Sequence, residues 1–158
     1  IERSWHKAYI ALGSNLGNQK GNLDFAVREL SSTPGCQVKK VSHYLVTKPF
    51  GVTDQPDFLN AVLEMDTLLD PQELLYLLNS IEAEAGRERI IHWGPRTLDL
   101  DILFYDDLVL SSEDLNIPHI GIAQRDFVLA PMNEIAPGLV HPVYRKTIQD
   151  LWMDLQDK

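Results

Sequence analysis

The chain has 158 residues, 44% of them hydrophobic and 23% charged, with 14 basic against 23 acidic side chains and a formal net charge of −9 at pH 7. That length suits a single domain, residues 1–158, burying roughly two-thirds of its unfolded surface. No apolar run approaches the roughly 20 residues of a membrane helix, and the acidic balance argues against non-specific binding to nucleic acid or anionic lipid, which call for basic surfaces.

In chain order, Lys7 to Leu12 is a short apolar run closed by Gly13-Ser14-Asn15, a buried strand and its turn. Leu23, Ala26, Val27 and Leu30 recur at helical spacing, so a helix is expected over Gln19 to Ser32, stopped by Pro34-Gly35. Cys36 to Thr47 is rich in Val and Tyr, Phe58 to Met65 is mostly apolar, and both read as strands that pair as antiparallel neighbours. Asp70-Pro71-Gln72-Glu73 supplies a cap, a first-turn proline and an acidic third residue for a second helix ending at Gly86. Thr97 to Tyr105 then begins with polar and apolar residues in alternation, the pattern of a strand with one polar face. The order βαββαβ predicts an α+β, ferredoxin-like antiparallel sheet with both helices on one face. Helices over Phe127 to Ile135 and Thr147 to Leu155 complete the chain.

The single cysteine, Cys36, reads as structural, and with no signal segment at the start it points to a reducing cytoplasm. The opening Ile1-Glu2-Arg3-Ser4-Trp5-His6 does not read as a natural start, so a domain cut from a longer, multifunctional chain is expected.

The segment from His92 to Leu103 carries the chemistry. On a strand, Asp99 and Asp101 project to one side about 7 Å apart along the chain, while Leu98, Leu100 and Ile102 face the other way. Two carboxylates on one face repel unless a cation lies between them, and magnesium commonly takes one or two carboxylates, filling its shell with water and phosphate oxygens. A bare Asp-x-Asp is also a common solvated strand face. The context favours metal: Arg87, Arg89 and Arg96 lie on the loop leading to the pair, and guanidinium groups grip phosphate bidentately. The alternative for these arginines is surface pairing with Glu82, Glu84 and Glu88. Neither a Walker A loop nor a Rossmann fingerprint is present.

At these residues the sequence resembles the 6-hydroxymethyl-7,8-dihydropterin pyrophosphokinases of folate biosynthesis. The resemblance runs through Ala11-Leu-Gly-Ser-Asn-Leu-Gly17, Thr47-Lys-Pro-Phe-Gly51, Asp54-Gln-Pro-Asp-Phe-Leu-Asn60, the Trp93 to Leu103 signature, Ile117-Pro-His119 and Arg125-Asp-Phe-Val-Leu129. It implies a ferredoxin-like core, ATP as co-substrate, two Mg²⁺ ions, and attack of the pterin hydroxymethyl oxygen on the β-phosphorus with AMP leaving. It further implies an enzyme whose partners are ATP and 6-hydroxymethyl-7,8-dihydropterin, fused to or associated with another folate-pathway enzyme.

Residue by residue, Asp99 and Asp101 match the family's metal ligands, and Arg87, Arg89 and Arg96 match arginines engaging the triphosphate. Trp93 matches an aromatic of the closing loop, and Glu82, Ile102, His119 and Arg125 match further ATP contacts. Phe58 and Phe127 match the two rings that sandwich the pterin, Asn60 a side chain reading its polar edge, and Thr47 with Phe50 the bordering loop. Taken singly, Trp93 and either Phe read as well as core packing, and His119 as a structural imidazole. This chain departs from many relatives in His92, where they carry arginine, and from some in Ile120 and Phe58, where those carry tyrosine. Two other classes stay open on the residues alone. A non-catalytic metabolite-binding module would share the fold, whereas an RNA-binding sheet would want basic strands that this chain lacks.

Overall fold

The computed structural model describes residues 3–47, 57–86 and 97–157. Strand β1 (His6–Ser14) leads into helix α1 (Gln19–Ser32), the helix expected from the spacing of Leu23, Ala26 and Leu30, which are its buried residues. Asn18 starts it by accepting a hydrogen bond from the Gly21 amide. The strand expected over Cys36 to Thr47 is two strands, β2 (Cys36–Val41) and β3 (Leu45–Thr47). The break lies at Ser42, whose amide donates to the Val62 carbonyl at 2.9 Å and whose hydroxyl accepts from the Val62 amide at 2.9 Å. A side chain thus takes one rung of the ladder, and regular pairing resumes only at Leu45.

Strand β4 (Phe58–Thr67) pairs antiparallel with both β2 and β3. Helix α2 (Pro71–Ala85) opens with the capping box read from the sequence: the Asp70 carboxylate accepts from the Glu73 amide at 2.8 Å, and the Glu73 carboxylate from the Asp70 amide at 2.9 Å. Strand β5 (Asp99–Tyr105) follows, then a short hairpin of β6 (Leu110–Ser111) and β7 (Asn116–Ile117) that the sequence pattern did not announce. A single 3₁₀ turn at Ile122–Gln124 precedes α3 (Asp126–Ile135), and α4 (Ile148–Gln156), capped by Thr147, ends the chain's elements.

The sheet order is β2-β4-β1-β5, antiparallel throughout, with β3 on the same flank of β4 as β2. This is the ferredoxin-like arrangement expected from the order of elements. One face of β1, carrying Ala8, Ile10 and Leu12, packs with Leu23 and Leu30 of α1 and Leu74 and Leu78 of α2. The opposite face, from Tyr9 to Val62 and Phe104, packs with Leu129 and Met132 of α3 and Ile148 and Leu151 of α4. The central strand is therefore buried on both sides, while its own composition grades along the second face from Tyr9 through Ala11 to Gly13.

Strand β5 carries one irregularity in its pairing with β1. Ile10 pairs with Ile102 and Tyr9 with Phe104, so Leu103 is an extra residue on β5, a β-bulge two positions past Asp101.

Candidate functional site

The site is built on one row of cross-strand neighbours. Asn60 on β4, Gly13 on β1 and Asp99 on β5 are register partners, and Ala11 pairs with Asp101 one repeat further on. Because side chains alternate along a strand, these residues share one face, and adjacent strands are about 4.8 Å apart. Asn60 and the carboxylates are thus held on opposite sides of a strand that contributes a methyl and a hydrogen. Above this floor lies a cavity of about 390 Å³, walled by Thr47, Phe58, His119, Gln124, Arg125, Phe127 and Val128.

Five of these wall residues have a local reason for their place. The Asn60 side-chain amide donates to the Thr47 hydroxyl at 2.7 Å, tying β4 to β3. Phe58 enters from the start of β4, two residues before Asn60 on the same face, and Phe127 from the first turn of α3; both rings are half-buried. The Arg125 guanidinium lies 5.8 Å from the Phe127 ring centroid, within cation–π range. It crosses Gly121, where an added Cβ would come within 2.8 Å of its Nε, so this close approach needs a glycine.

His119 is anchored to the bulge: its amide donates to the Leu103 carbonyl at 3.0 Å. Its Nδ1 accepts from the Gly121 amide at 3.2 Å, which leaves Nε2 as the protonated, donating nitrogen of the neutral ring. Burial pushes the His119 imidazole below its ordinary value, with the Asp101 carboxylate opposing and the Arg125 charge reinforcing that shift. At neutral pH it is an uncharged donor beside an acidic pair.

Asp99 and Asp101 both line the cavity, Asp99 half-buried and Asp101 exposed. Among the described residues no three His, Cys, Asp or Glu side chains converge to hold a metal ion. Two hard oxygen donors facing an open cavity fit a cation that completes its shell with water and phosphate, the habit of magnesium rather than of zinc or a caged calcium.

Of the residues singled out from the sequence, the structure brings together Asp99, Asp101, His119, Arg125, Thr47, Phe58, Asn60 and Phe127. Two lie elsewhere. Ile102 is 3% exposed and packs in the core beneath α1 and α2, so its side chain is turned away from the cavity. Glu82 stands on α2, where its carboxylate accepts from the Leu100 amide at 2.7 Å and so grips β5 between the two aspartates. It borders a smaller cleft with Asn79, Thr97 and Leu98. Arg87, Arg89, His92, Trp93, Arg96 and Phe50 fall outside the described residues. The sequence reading missed Gln124 and the small floor residues Ala11 and Gly13; the available signal was the Ala-x-Gly alternation on β1, which vacates one face.

Two carboxylates, two aromatic rings and an arginine thus line one cavity, a set of groups suited to holding a phosphorylated donor beside a flat acceptor. The sequence profile of the 7,8-dihydro-6-hydroxymethylpterin-pyrophosphokinase family matches residues 9–137. The chain belongs to this family. It is 47% identical over 134 residues to a 2-amino-4-hydroxy-6-hydroxymethyldihydropteridine pyrophosphokinase of Methylorubrum extorquens, covering 85% of each protein. It is 42% identical over 158 residues to folic acid synthesis protein fol1 of Schizosaccharomyces pombe, of which it spans only 22%. In fold it is similar to Plasmodium falciparum HPPK-DHPS, with a TM-score of 0.78 at 15% identity, over 97% of this chain and 45% of that one. Pyrophosphate transfer to a hydroxymethyl dihydropterin, a step of folate synthesis, is the family's activity, and some relatives carry it within longer chains joined to other folate enzymes.

Proposed function

We propose that this cavity transfers a diphosphate from ATP to the hydroxymethyl group of 6-hydroxymethyl-7,8-dihydropterin, releasing AMP. The observation that carries the reading is the division of the floor: stacking rings and an amide reader on the β4 side, two carboxylates on the β5 side, and no side chain between them larger than a methyl. The pterin lies between Phe58 and Phe127, where a flat heterocycle stacks well, with its polar edge toward Asn60. Its hydroxymethyl arm then crosses β1 toward the acidic pair.

Asp99 and Asp101 would hold two Mg²⁺ ions together with the triphosphate, and these ions would neutralise phosphate charge and polarise the β-phosphoryl group. Arg125 pairs with phosphate oxygens, and neutral His119 donates through Nε2 to one of them. Arg87, Arg89 and Arg96 close over the polyphosphate, Trp93 excludes water, and Phe50 borders the pterin, as the family resemblance implies. Glu82 steadies β5, and an ATP contact at Ile102 falls to its backbone. The pterin oxygen bonds to the β-phosphorus as the bond from that phosphorus to the α–β bridging oxygen breaks. The bridging oxygen leaves with AMP, and the hydroxyl proton passes to solvent. Such a transfer relies on alignment and charge neutralisation more than on covalent help.

The domain reading, a single pyrophosphokinase unit set within a longer multifunctional chain, is supported by relatives of which this chain spans only a part; separately, no helix among the described residues is long and apolar enough to cross a membrane. Incubation with ATP, magnesium and 6-hydroxymethyl-7,8-dihydropterin should yield AMP and the pterin diphosphate, with the yield abolished by chelation and restored by added magnesium. ATP and pterin binding without AMP would instead establish a non-catalytic metabolite-binding module.

A further inference from the structure

Gly13 lies inside a strand, where glycine weakens pairing and usually marks a place that something approaches closely. Its backbone does not require a glycine: among the described residues the glycines with positive φ are Gly17 and Gly35. The position therefore needs space rather than conformational freedom. A Cβ built there would come 3.0 Å from Oδ1 of Asn60, shorter than the usual approach of about 3.3 to 3.6 Å between such atoms. Asn60 cannot yield without loss, because its Nδ2 is committed to the Thr47 hydroxyl at 2.7 Å.

Two contacts thus fix the orientation of one amide. Thr47 takes its nitrogen on the β3 side, and the bare Gly13 leaves its oxygen open over the cavity floor. We propose that Gly13 is a specificity-determining position for the pterin: its missing side chain keeps the Asn60 carbonyl oxygen in place to accept a ring N–H of the flat heterocycle. The inference rests on the reading of this cavity as a pterin site. Gly13 is a positioning residue, acting through Asn60. The nucleotide half is spared, since no Asp99 atom lies within 4 Å of the added Cβ although the two residues are register partners.

The test is a double-substitution cycle, with dissociation constants measured separately for 6-hydroxymethyl-7,8-dihydropterin and for a non-hydrolysable ATP analogue with magnesium. Gly13→Ala should weaken pterin binding about tenfold, in line with the loss of a well-aligned buried acceptor, and leave nucleotide affinity within about twofold. In an Asn60→Ala background the same substitution should cost nothing further. Full additivity of the two effects, or pterin affinity unchanged in Gly13→Ala, overturns the role of Gly13 while leaving the site standing. Unchanged pterin affinity in Asn60→Ala overturns the pterin site itself, and the proposal with it. Should Gly13→Ala fail to fold, recovery of folding in the Asn60→Ala background supports the contact, and failure in both backgrounds refutes it.

Discussion

One face of the sheet behaves in two ways along its length. At one end β1 presents Tyr9, opposite Glu64 on β4 and Phe104 on β5, and the space is filled by α3 and α4. At the other end the same strands present Gly13, Asn60 and Asp99, and the space is a cavity. The pairing of β1 with β4 is unbroken between them, the bulge being confined to β5, so what separates core from site is side-chain volume on β1: a phenol, a methyl, a hydrogen. Polar groups follow the same division. At the filled end the Glu64 carboxylate is 6% exposed and fully engaged, accepting from the Tyr9 hydroxyl at 2.8 Å and the Lys7 ammonium at 3.1 Å. Burial alone would raise its pKa, but those donors hold it below its ordinary value. At the open end the carboxylates line empty space that a charged ligand can enter.

Substitutions should separate the two ends cleanly. The largest effect belongs to the open end: Asp101→Asn should lower AMP release about 10³-fold or more, since charge at the transferring phosphate is lost, while the thermal midpoint stays close to that of the parent. A comparable loss of stability would show that the aspartate is structural. At the filled end, Phe104→Ala should cost about 3–5 kcal/mol in denaturant unfolding, because the ring is 1% exposed and leaves a cavity, yet activity per folded molecule should survive. Phe127→Ala belongs to the open end, and titration should show pterin binding about tenfold weaker through lost stacking, with nucleotide binding changed less.

Two smaller effects sharpen the filled end. Tyr9→Phe removes one donor from a buried carboxylate and should cost about 1–3 kcal/mol at neutral pH. The Glu64 pKa is depressed on folding, so its stabilisation is present above the ordinary value of 4.5 and lost as pH falls below it; Tyr9→Phe should flatten that acid limb in chemical unfolding. His141 acts similarly near neutrality. Its Nδ1 accepts from the Val143 and Tyr144 amides at 3.2 and 3.1 Å, and burial pushes its pKa below 6.5. The unfolded chain then binds the proton more readily, so stability should decline as pH drops below 6.5. His141→Asn, which keeps an acceptor without titrating, should make that slope shallower, and an unchanged slope would exclude His141 as its source.

Much of this architecture was readable from residue spacing. Helix α1 follows from Leu23, Ala26 and Leu30, α2 from its capping box, and the shared face of Asp99 and Asp101 from a period of two. What stayed hidden depends on partners distant in sequence. Nothing local marks Ser42 as a side chain that replaces a ladder rung, since its partner is Val62. That Ile102 faces away from the aspartates follows from the same period of two, but the α1 and α2 side chains it packs with become visible only once the strands are paired. The hairpin of β6 and β7 has two residues per strand, too few for any periodicity to register. The aspartates were found because their spacing is their geometry; Gly13 was passed over because its contribution is an absence of atoms.

The extra residue at Leu103 has a consequence for the limits of change in this chain. Beyond Asp101 it offsets β5 by one position, so that Phe104 reaches the α3 side and Tyr105 the α1 side, and its carbonyl receives His119. Deleting that residue would restore regular pairing with Phe104 still opposite Tyr9 and Tyr105 still opposite Ala8, yet it would remove a side chain 1% exposed in the α3 core and the carbonyl that holds the histidine loop. Single-residue length is therefore a stricter requirement here than residue identity: β5 should tolerate a conservative exchange at 103 and not a shortening.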